Sequence, residues 1–351
     1  MTLNTILIDT YKASTVKTWT SEAEFPLECG KTLPSIDIAY CTYGKLNATK
    51  SNVVWVCHAL TANADAMDWW DGLISKGKLF DPTEYFIVCS NMLGSCYGAT
   101  CPSSINLETG EPYHQNFPLI TIRDIVNAHK LLRQKLGIQK IDVILGGSMG
   151  GQQVLEWAIQ EPQLFKHVIP IATNAKHSPW AIAFNETQRM AMEADETLFT
   201  HAPNAGHKGL EAARAIAMLS YRHYQTYDQS QQDATAKIDD YRASSYQKYQ
   251  GLKLRKRFEP LAYYGLSKSM DTQDVGRGRG GLKKALAKIT ARTLVIGITS
   301  DILFPPKEQK FIAKHVKGAV YKKVKSTFGH DGFLIEYAQL TTVIKKFLRN
   351  K

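Results

Sequence analysis

The sequence predicts an α/β protein: a mostly parallel sheet flanked by helices, with a helical cap inserted into it. Three observations carry this. Residues 53–60 (VVWVCHAL), 85–93 (YFIVCSNML), 141–147 (IDVILGG), 167–173 (HVIPIAT) and 293–301 (TLVIGITSD) are short apolar runs rich in β-branched residues, the composition of strands buried on both faces. Helical patterns separate several of them, as in 121–138, where Ile122, Ile125, Val126, His129, Leu132 and Leu136 form one stripe. Between about Ala175 and Ala291 the strand signal lapses and long polar helices take over.

Taken in chain order, residues 1–50 alternate polar and apolar in stretches broken by Gly30, Pro34 and Gly44, which predicts antiparallel strands ahead of the parallel ones. The core then divides into 1–174 and 292–351, with the cap at 175–291. After Gly332 a closing amphipathic helix is expected, with Leu334, Ile335, Tyr337, Ala338, Leu340, Val343 and Ile344 on its apolar side.

A chain of 351 residues with 44% hydrophobic content is long enough for one α/β core with such an excursion. Its net charge of +11 admits nucleic acid, an anionic surface or an anionic small molecule as partner. The distribution of charge argues against the first two. The densest basic stretch, GLKLRKRF at 251–258, is short and reads as a solvated face, and VGRGRGG at 275–281 reads as a flexible return loop. Cys29, Cys41, Cys57, Cys89, Cys96 and Cys101 show no zinc-ligand pairing and are expected to be reduced thiols. With no signal-like N-terminus and no run near the ~18 apolar residues of a membrane span, a cytoplasmic protein without membrane contact is expected.

The turn Gly146-Gly147-Ser148-Met149-Gly150 lies between an apolar run and an amphipathic helix. A serine in so sharp a strand-to-helix turn projects outward, and glycines two positions before and after it let the two backbones approach. The helix N-terminus beneath it favours the anion formed when a serine oxygen attacks a carbonyl. Ser148 is therefore the candidate nucleophile. A hydroxyl needs a base, and the base needs a group to hold its tautomer, which in this architecture follow in the order acid, then histidine. Asp301 ends the last parallel run and His330 lies in a glycine-flanked loop before the closing helix, so these two complete the expected triad. The backbone N–H groups of Met149 and of Leu60, in the turn after the first buried strand, are the expected oxyanion donors. His58 in the same turn precedes the serine in the chain and is read as structural.

With these residues in place, the chain resembles the homoserine O-acetyltransferase family, a branch of the α/β-hydrolase fold. The resemblance runs over nearly the whole length through HALTAN, WWDGLISKGKLFDPTEYFIVCSNMLGSCYGATCPSS, FPLITIRD, GGSMGG with LEWA, SDILFP and GHDGFL. It implies the same triad and transfer of acetyl from acetyl-CoA, a co-substrate rather than a bound cofactor, to the hydroxyl of L-homoserine in methionine biosynthesis, with no metal. It also implies that Arg214, Tyr221, Thr61 and Asp331 bind the acceptor. A guanidinium clamps a carboxylate with two hydrogen bonds, and an aspartate beside the base holds an ammonium. Arg214 and Tyr221 are seven residues apart, about two helical turns, and so share a face. The family further implies a homodimer through the cap helices, where Met190, Met192, Leu210 and Met218 are available, although cap packing suits most of them. Cys101 stands where a glycine is usual and Gln152 where a methionine is common. Rival readings are succinyl transfer, serine as acceptor, or plain ester or thioester hydrolysis; a non-catalytic binding protein does not explain an intact triad.

Overall fold

The computed structural model describes residues 16–349. Eight strands form one sheet: β1 (Val16–Ser21), β4 (Ile36–Tyr43), β5 (Val53–Cys57), β6 (Phe86–Ser90), β7 (Ile141–Gly147), β8 (Phe165–Ile171), β9 (Arg292–Ile298) and β10 (Val320–Val324). Two short strands, β2 (Phe25–Pro26) and β3 (Thr32–Leu33), pair beside it. The order across the sheet is β1-β4-β6-β5-β7-β8-β9-β10. The two strands at one edge are antiparallel and the remaining six run parallel, as the switch from alternating to continuous apolar runs predicts. The part of the expected strand alternation that falls on residues 1–15 lies outside the described residues.

The period of two in the strands sorts their side chains onto two cores. Val54, Val56, Val143, Leu145, Ile169, Ile171, Leu294 and Ile296 fill one face, while Trp55, Cys57, Ile144, Val168 and Val295 fill the other. Twelve α-helices among the described residues are labelled in chain order. The first two are α1 (Ala66–Trp69) and α2 (Ile122–Lys135). At the start of α2, Thr121 and Asp124 form a reciprocal capping box, which fixes where that helix begins. Helix α3 (Met149–Gln160) is almost wholly buried between the sheet and its neighbours.

After β8 the chain leaves the sheet for a helical excursion: α4 (Pro179–Glu193), α5 (His207–Tyr221), α6 (Tyr224–Ser230), α7 (Arg242–Arg255) and α8 (Pro260–Asp271). It leaves and returns through a paired neck, where the Val275 N–H donates to the Ala175 carbonyl and the His177 N–H to the Gln273 carbonyl. Within the excursion Met192, Leu210 and Met218 are buried, while Met190 is 61% exposed. Residues 276–291, including α9 (Leu282–Leu286), already pack on the core, with Leu286 buried there.

The return segment differs from the flexible loop expected at 275–281. Arg277 pairs with Glu28 at 2.7 Å, and Arg279 reaches the buried Glu156. Those partners lie far away in sequence, so a local glycine-rich composition gives no sign of them. The closing helix differs too. After α10 (Pro306–His315) and β10 come α11 (Gly332–Ile335) and α12 (Tyr337–Arg349), separated at Glu336. The Phe333 carbonyl accepts the indole N–H of Trp70 at 3.1 Å, which takes an acceptor that a continuous helix would use. No helix among the described residues is long and apolar enough to cross a membrane.

Candidate active site

Ser148 sits at the carboxyl end of β7, near the middle of the sheet, as the residue before α3. Its backbone has φ +58° and ψ −127°, a conformation that costs a non-glycine residue about 1–3 kcal/mol and persists only where surrounding packing enforces it. The packing is visible in the glycines. A Cβ on Gly146 would lie 2.7 Å from both the Cys57 and Gly150 carbonyl oxygens, and one on Gly150 only 2.1 Å from the Cys57 oxygen. Both positions flanking the serine therefore have to lack a side chain. The same contacts press the turn after β5, which carries Leu60, against the start of α3, which carries the Met149 N–H.

Asp301 follows β9 and is buried. Its Oδ1 accepts the N–H groups of Leu303 at 2.9 Å and Phe304 at 2.8 Å, and its Oδ2 accepts Nδ1–H of His330 at 2.7 Å. A carboxylate fixed by two backbone donors leaves one oxygen for the ring, so the imidazole carries its proton on Nδ1 and turns Nε2 outward as a base. His330 comes from the 3-10 turn Gly329–Asp331 after β10. Its ring stacks on Phe304, with centroids 5.1 Å apart, and meets Phe333 at 5.3 Å. Phe333 also covers Gly147, where an added Cβ would lie 2.3 Å from the phenyl ring. One aromatic side chain thus joins the nucleophile turn to the histidine loop.

Helix α5 supplies the next layer. The Tyr221 ring lies 5.8 Å from that of His330, and the Arg214 guanidinium lies 5.2 Å over Tyr221. Gly329, at φ +67°, lets the histidine loop meet the end of α5, since a Cβ there would fall 2.7 Å from the His223 nitrogen. Asp331 follows His330 and is ion-paired with Arg222 at 2.8 Å. Burial raises the Asp331 carboxyl above its usual range, opposed by the charges of Arg222, Arg214 and His330. Burial likewise raises the Tyr221 phenol. The Thr61 carbonyl accepts from Arg257 at 2.6 Å, and Arg257 also reaches the Tyr97 hydroxyl. The structure therefore gathers Arg214, Tyr221 and Asp331 around His330, with Thr61 in the Leu60 turn.

Arg222, Phe304 and Phe333 were not singled out in the sequence. Arg222 sits beside Tyr221 and the two phenylalanines beside Asp301 and His330, but only the fold shows that they touch. Cys101 is buried, with its thiol 3.1 Å from the Ser103 hydroxyl, and Gln152 is buried against Asn174 and His177. His58 is also buried and fully engaged with backbone groups, in line with its structural reading.

A family model described as the alpha/beta hydrolase fold matches residues 52–337. The chain is 52% identical over 321 residues to the homoserine O-acetyltransferase of Cyclobacterium marinum, covering 92% of each chain. It is 43% identical over 328 residues to that of Chlorobaculum parvum, covering 93% of this chain and 92% of the relative. Among solved structures, a homoserine O-acetyltransferase from Bacillus anthracis superposes with a TM-score of 0.89 at 23% identity, over 96% of this chain and 99% of that one. Esterase E22 superposes with 0.86 at 23%, over 95% and 100%, so fold alone does not separate transfer from hydrolysis. Sequence identity does: the chain belongs to the homoserine O-acetyltransferase family of the α/β-hydrolase fold.

Proposed function

We propose that this protein is a homoserine O-acetyltransferase acting by a ping-pong mechanism in methionine biosynthesis. The observation that carries the reading is the Asp301–His330 pair, joined through Phe333 to a strained serine at a helix N-terminus. His330 Nε2 takes the Ser148 hydroxyl proton as Oγ attacks the thioester carbon of acetyl-CoA. The tetrahedral oxyanion is held by the N–H groups of Met149 and Leu60. The carbon–sulfur bond then breaks, His330 protonates the departing thiolate, and an acetyl ester remains on Ser148.

Homoserine enters with its carboxylate on Arg214 and its ammonium on Asp331, beside Tyr221 and Thr61. Its hydroxyl gives a proton to His330 and attacks the acetyl carbon. Collapse of the second tetrahedral intermediate releases O-acetylhomoserine and returns the proton to Ser148 Oγ. Acetyl-CoA is a co-substrate, and no resident cofactor or metal takes part in these steps. The protein acts in the cytoplasm as a homodimer formed through the excursion.

The test is thiol release from acetyl-CoA with and without L-homoserine, with the product identified by mass spectrometry. Homoserine-dependent release with O-acetylhomoserine as product is expected. Equal release without homoserine would instead make the protein a thioesterase, and release that requires succinyl-CoA or serine would move the reading to a sibling activity.

A further inference from the structure

Each proposed oxyanion donor belongs to a peptide unit whose other end is a carbonyl. The Leu60 N–H is shared with the Ala59 carbonyl, and the Met149 N–H with the Ser148 carbonyl. Both carbonyls are held from behind by a buried side chain that the mechanism does not use. The Met92 N–H donates to His58 Nε2 at 3.1 Å, so the ring proton is on Nδ1, which donates to the Ala59 carbonyl at 2.9 Å. The Thr173 hydroxyl donates to the Ser148 carbonyl at 2.8 Å. Neither His58 nor Thr173 is accessible to solvent. Thr173 reaches its acceptor because residue 151 is glycine: a Cβ there would lie 2.6 Å from the threonine side chain.

A third buried side chain bolts the two segments together. Gln153 donates from Nε2 to the His58 carbonyl at 3.2 Å and to the Met149 carbonyl at 3.1 Å. Its amide cannot be turned round, because Oε1 would then face two carbonyl oxygens; Oε1 therefore accepts Nε2–H of His129, and Nδ1 of that ring accepts from the Ser90 hydroxyl at 2.9 Å. Every polar atom in this chain of contacts has one consistent role, with both imidazoles neutral. Burial, which lowers both rings to about 4, keeps them so.

We infer that Thr173 and His58 are positioning residues for the oxyanion hole, each fixing one donor peptide by its carbonyl, with Gln153 setting the distance between the two. The inference rests on Leu60 and Met149 being the donors. A hydrogen bond to a peptide carbonyl sets the tilt of the unit and polarises its N–H in the same sense as a developing negative charge at the far end. The gain therefore falls on the tetrahedral intermediates and leaves ground-state binding alone.

The experiment measures kcat and KM for p-nitrophenyl acetate hydrolysis and for acetyl transfer to homoserine, in the wild type, Thr173→Val, Thr173→Ser and His58→Phe. Thr173→Val keeps the shape and removes the hydroxyl. It is expected to lower kcat about tenfold in both reactions with KM little changed, a fraction of the 10²–10³ that losing a donor outright costs. Thr173→Ser restores the rate, and His58→Phe, if folded, repeats the loss. Should Thr173→Val not fold, Thr173→Ala against Thr173→Ser gives the same comparison. Unchanged kcat in Thr173→Val, a loss confined to KM, or a loss that Thr173→Ser does not restore overturns the inference. If the wild type hydrolyses p-nitrophenyl acetate but does not acetylate homoserine, and the variants keep the expected pattern, the acceptor reading falls and the positioning role stands. Failure of the wild type to turn over either substrate overturns both.

Discussion

Replacing Asp301 with asparagine tests the base more sharply than removing it. The carboxylate accepts three hydrogen bonds, two from backbone amides on Oδ1 and one from His330 on Oδ2. Asparagine has one acceptor oxygen and must choose. Turning that oxygen toward His330 would aim its NH₂ at the Leu303 and Phe304 amides and orphan two buried donors, at about 1–3 kcal/mol each. Keeping the oxygen on the amides sets the NH₂ against Nδ1, and the imidazole escapes by moving its proton to Nε2. Exchanging neutral tautomers costs less than orphaning two donors, so the second arrangement wins. His330 then presents a proton, not a lone pair, to Ser148. The expected loss in kcat is about 10⁴, or about 5 kcal/mol of barrier, the scale found when a serine triad is locked in the wrong tautomer. Thiol release from acetyl-CoA measures it, and circular dichroism checks that the variant is folded. A folded Asp301→Asn enzyme losing less than about tenfold would refute the tautomer argument.

Ser148→Ala is expected to abolish the acetyl-enzyme, seen by intact-protein mass spectrometry after exposure to acetyl-CoA; an acetyl adduct persisting on that variant would remove Ser148 as nucleophile. Arg214→Gln should raise the KM for homoserine about 10–100-fold, the worth of a charge-assisted bidentate pair, while leaving the rate of enzyme acetylation unchanged in a rapid-quench experiment. Gly150→Ala drives a Cβ to 2.1 Å from the Cys57 carbonyl, a backbone atom that cannot step aside, so a loss of about 3 kcal/mol should appear as a lower thermal midpoint. Burial lowers His58 and His129 to about 4 and His177 to about 3. Between those values and the ordinary imidazole range the unfolded chain binds the extra protons, so stability falls as pH drops below about 6.5, by up to about 1.4 kcal/mol per pH unit for each ring. A thermal midpoint flat from pH 6.5 to 4.5 would contradict this.

What the sequence discloses about this site is what depends on nearby residues. The turn around Ser148 is legible because the glycines it needs, at 146 and 150, stand beside the serine in the chain, although the Cys57 carbonyl that crowds both of them comes from another strand. Asp301 is legible because a strand end is. Contacts that distant segments make through ordinary side chains leave no such trace. Arg277 and Glu28 are 249 positions apart, and nothing in VGRGRGG announces the carboxylates that hold it down. The break at Glu336 is hidden for the same reason: the apolar period continues across it, and the indole that captures the Phe333 carbonyl is 263 residues away. The return of the excursion is also non-local. The chain rejoins the core at Gln273–Val275 through pairing with Ala175–His177, well before the strand signal resumes near residue 292.

The division of labour within the site bears on why such a protein transfers an acetyl group instead of hydrolysing it. A serine on a strained turn, a histidine with a fixed tautomer and two backbone donors serve water and an alcohol equally, and esterase E22 shares the fold that presents them. Selectivity must therefore lie in groups that act on the acceptor and not on the acyl carbon. On the proposed reading those groups come from elsewhere in the chain. Arg214 and Tyr221 ride on α5, outside the sheet, and reach the base only because Gly329 lets the histidine loop pack on the end of that helix. Asp331 is paired with Arg222, which keeps a buried carboxylate from facing the site alone. In the proposed reaction the acceptor's ammonium shares the Asp331 carboxylate with Arg222 while its own carboxylate meets Arg214, so neither charge of the acceptor enters the site unpaired. Water has neither charge to offer. Orientation of the acceptor hydroxyl over the acyl carbon, worth several orders of magnitude in effective concentration, is then available to the amino acid and denied to the solvent.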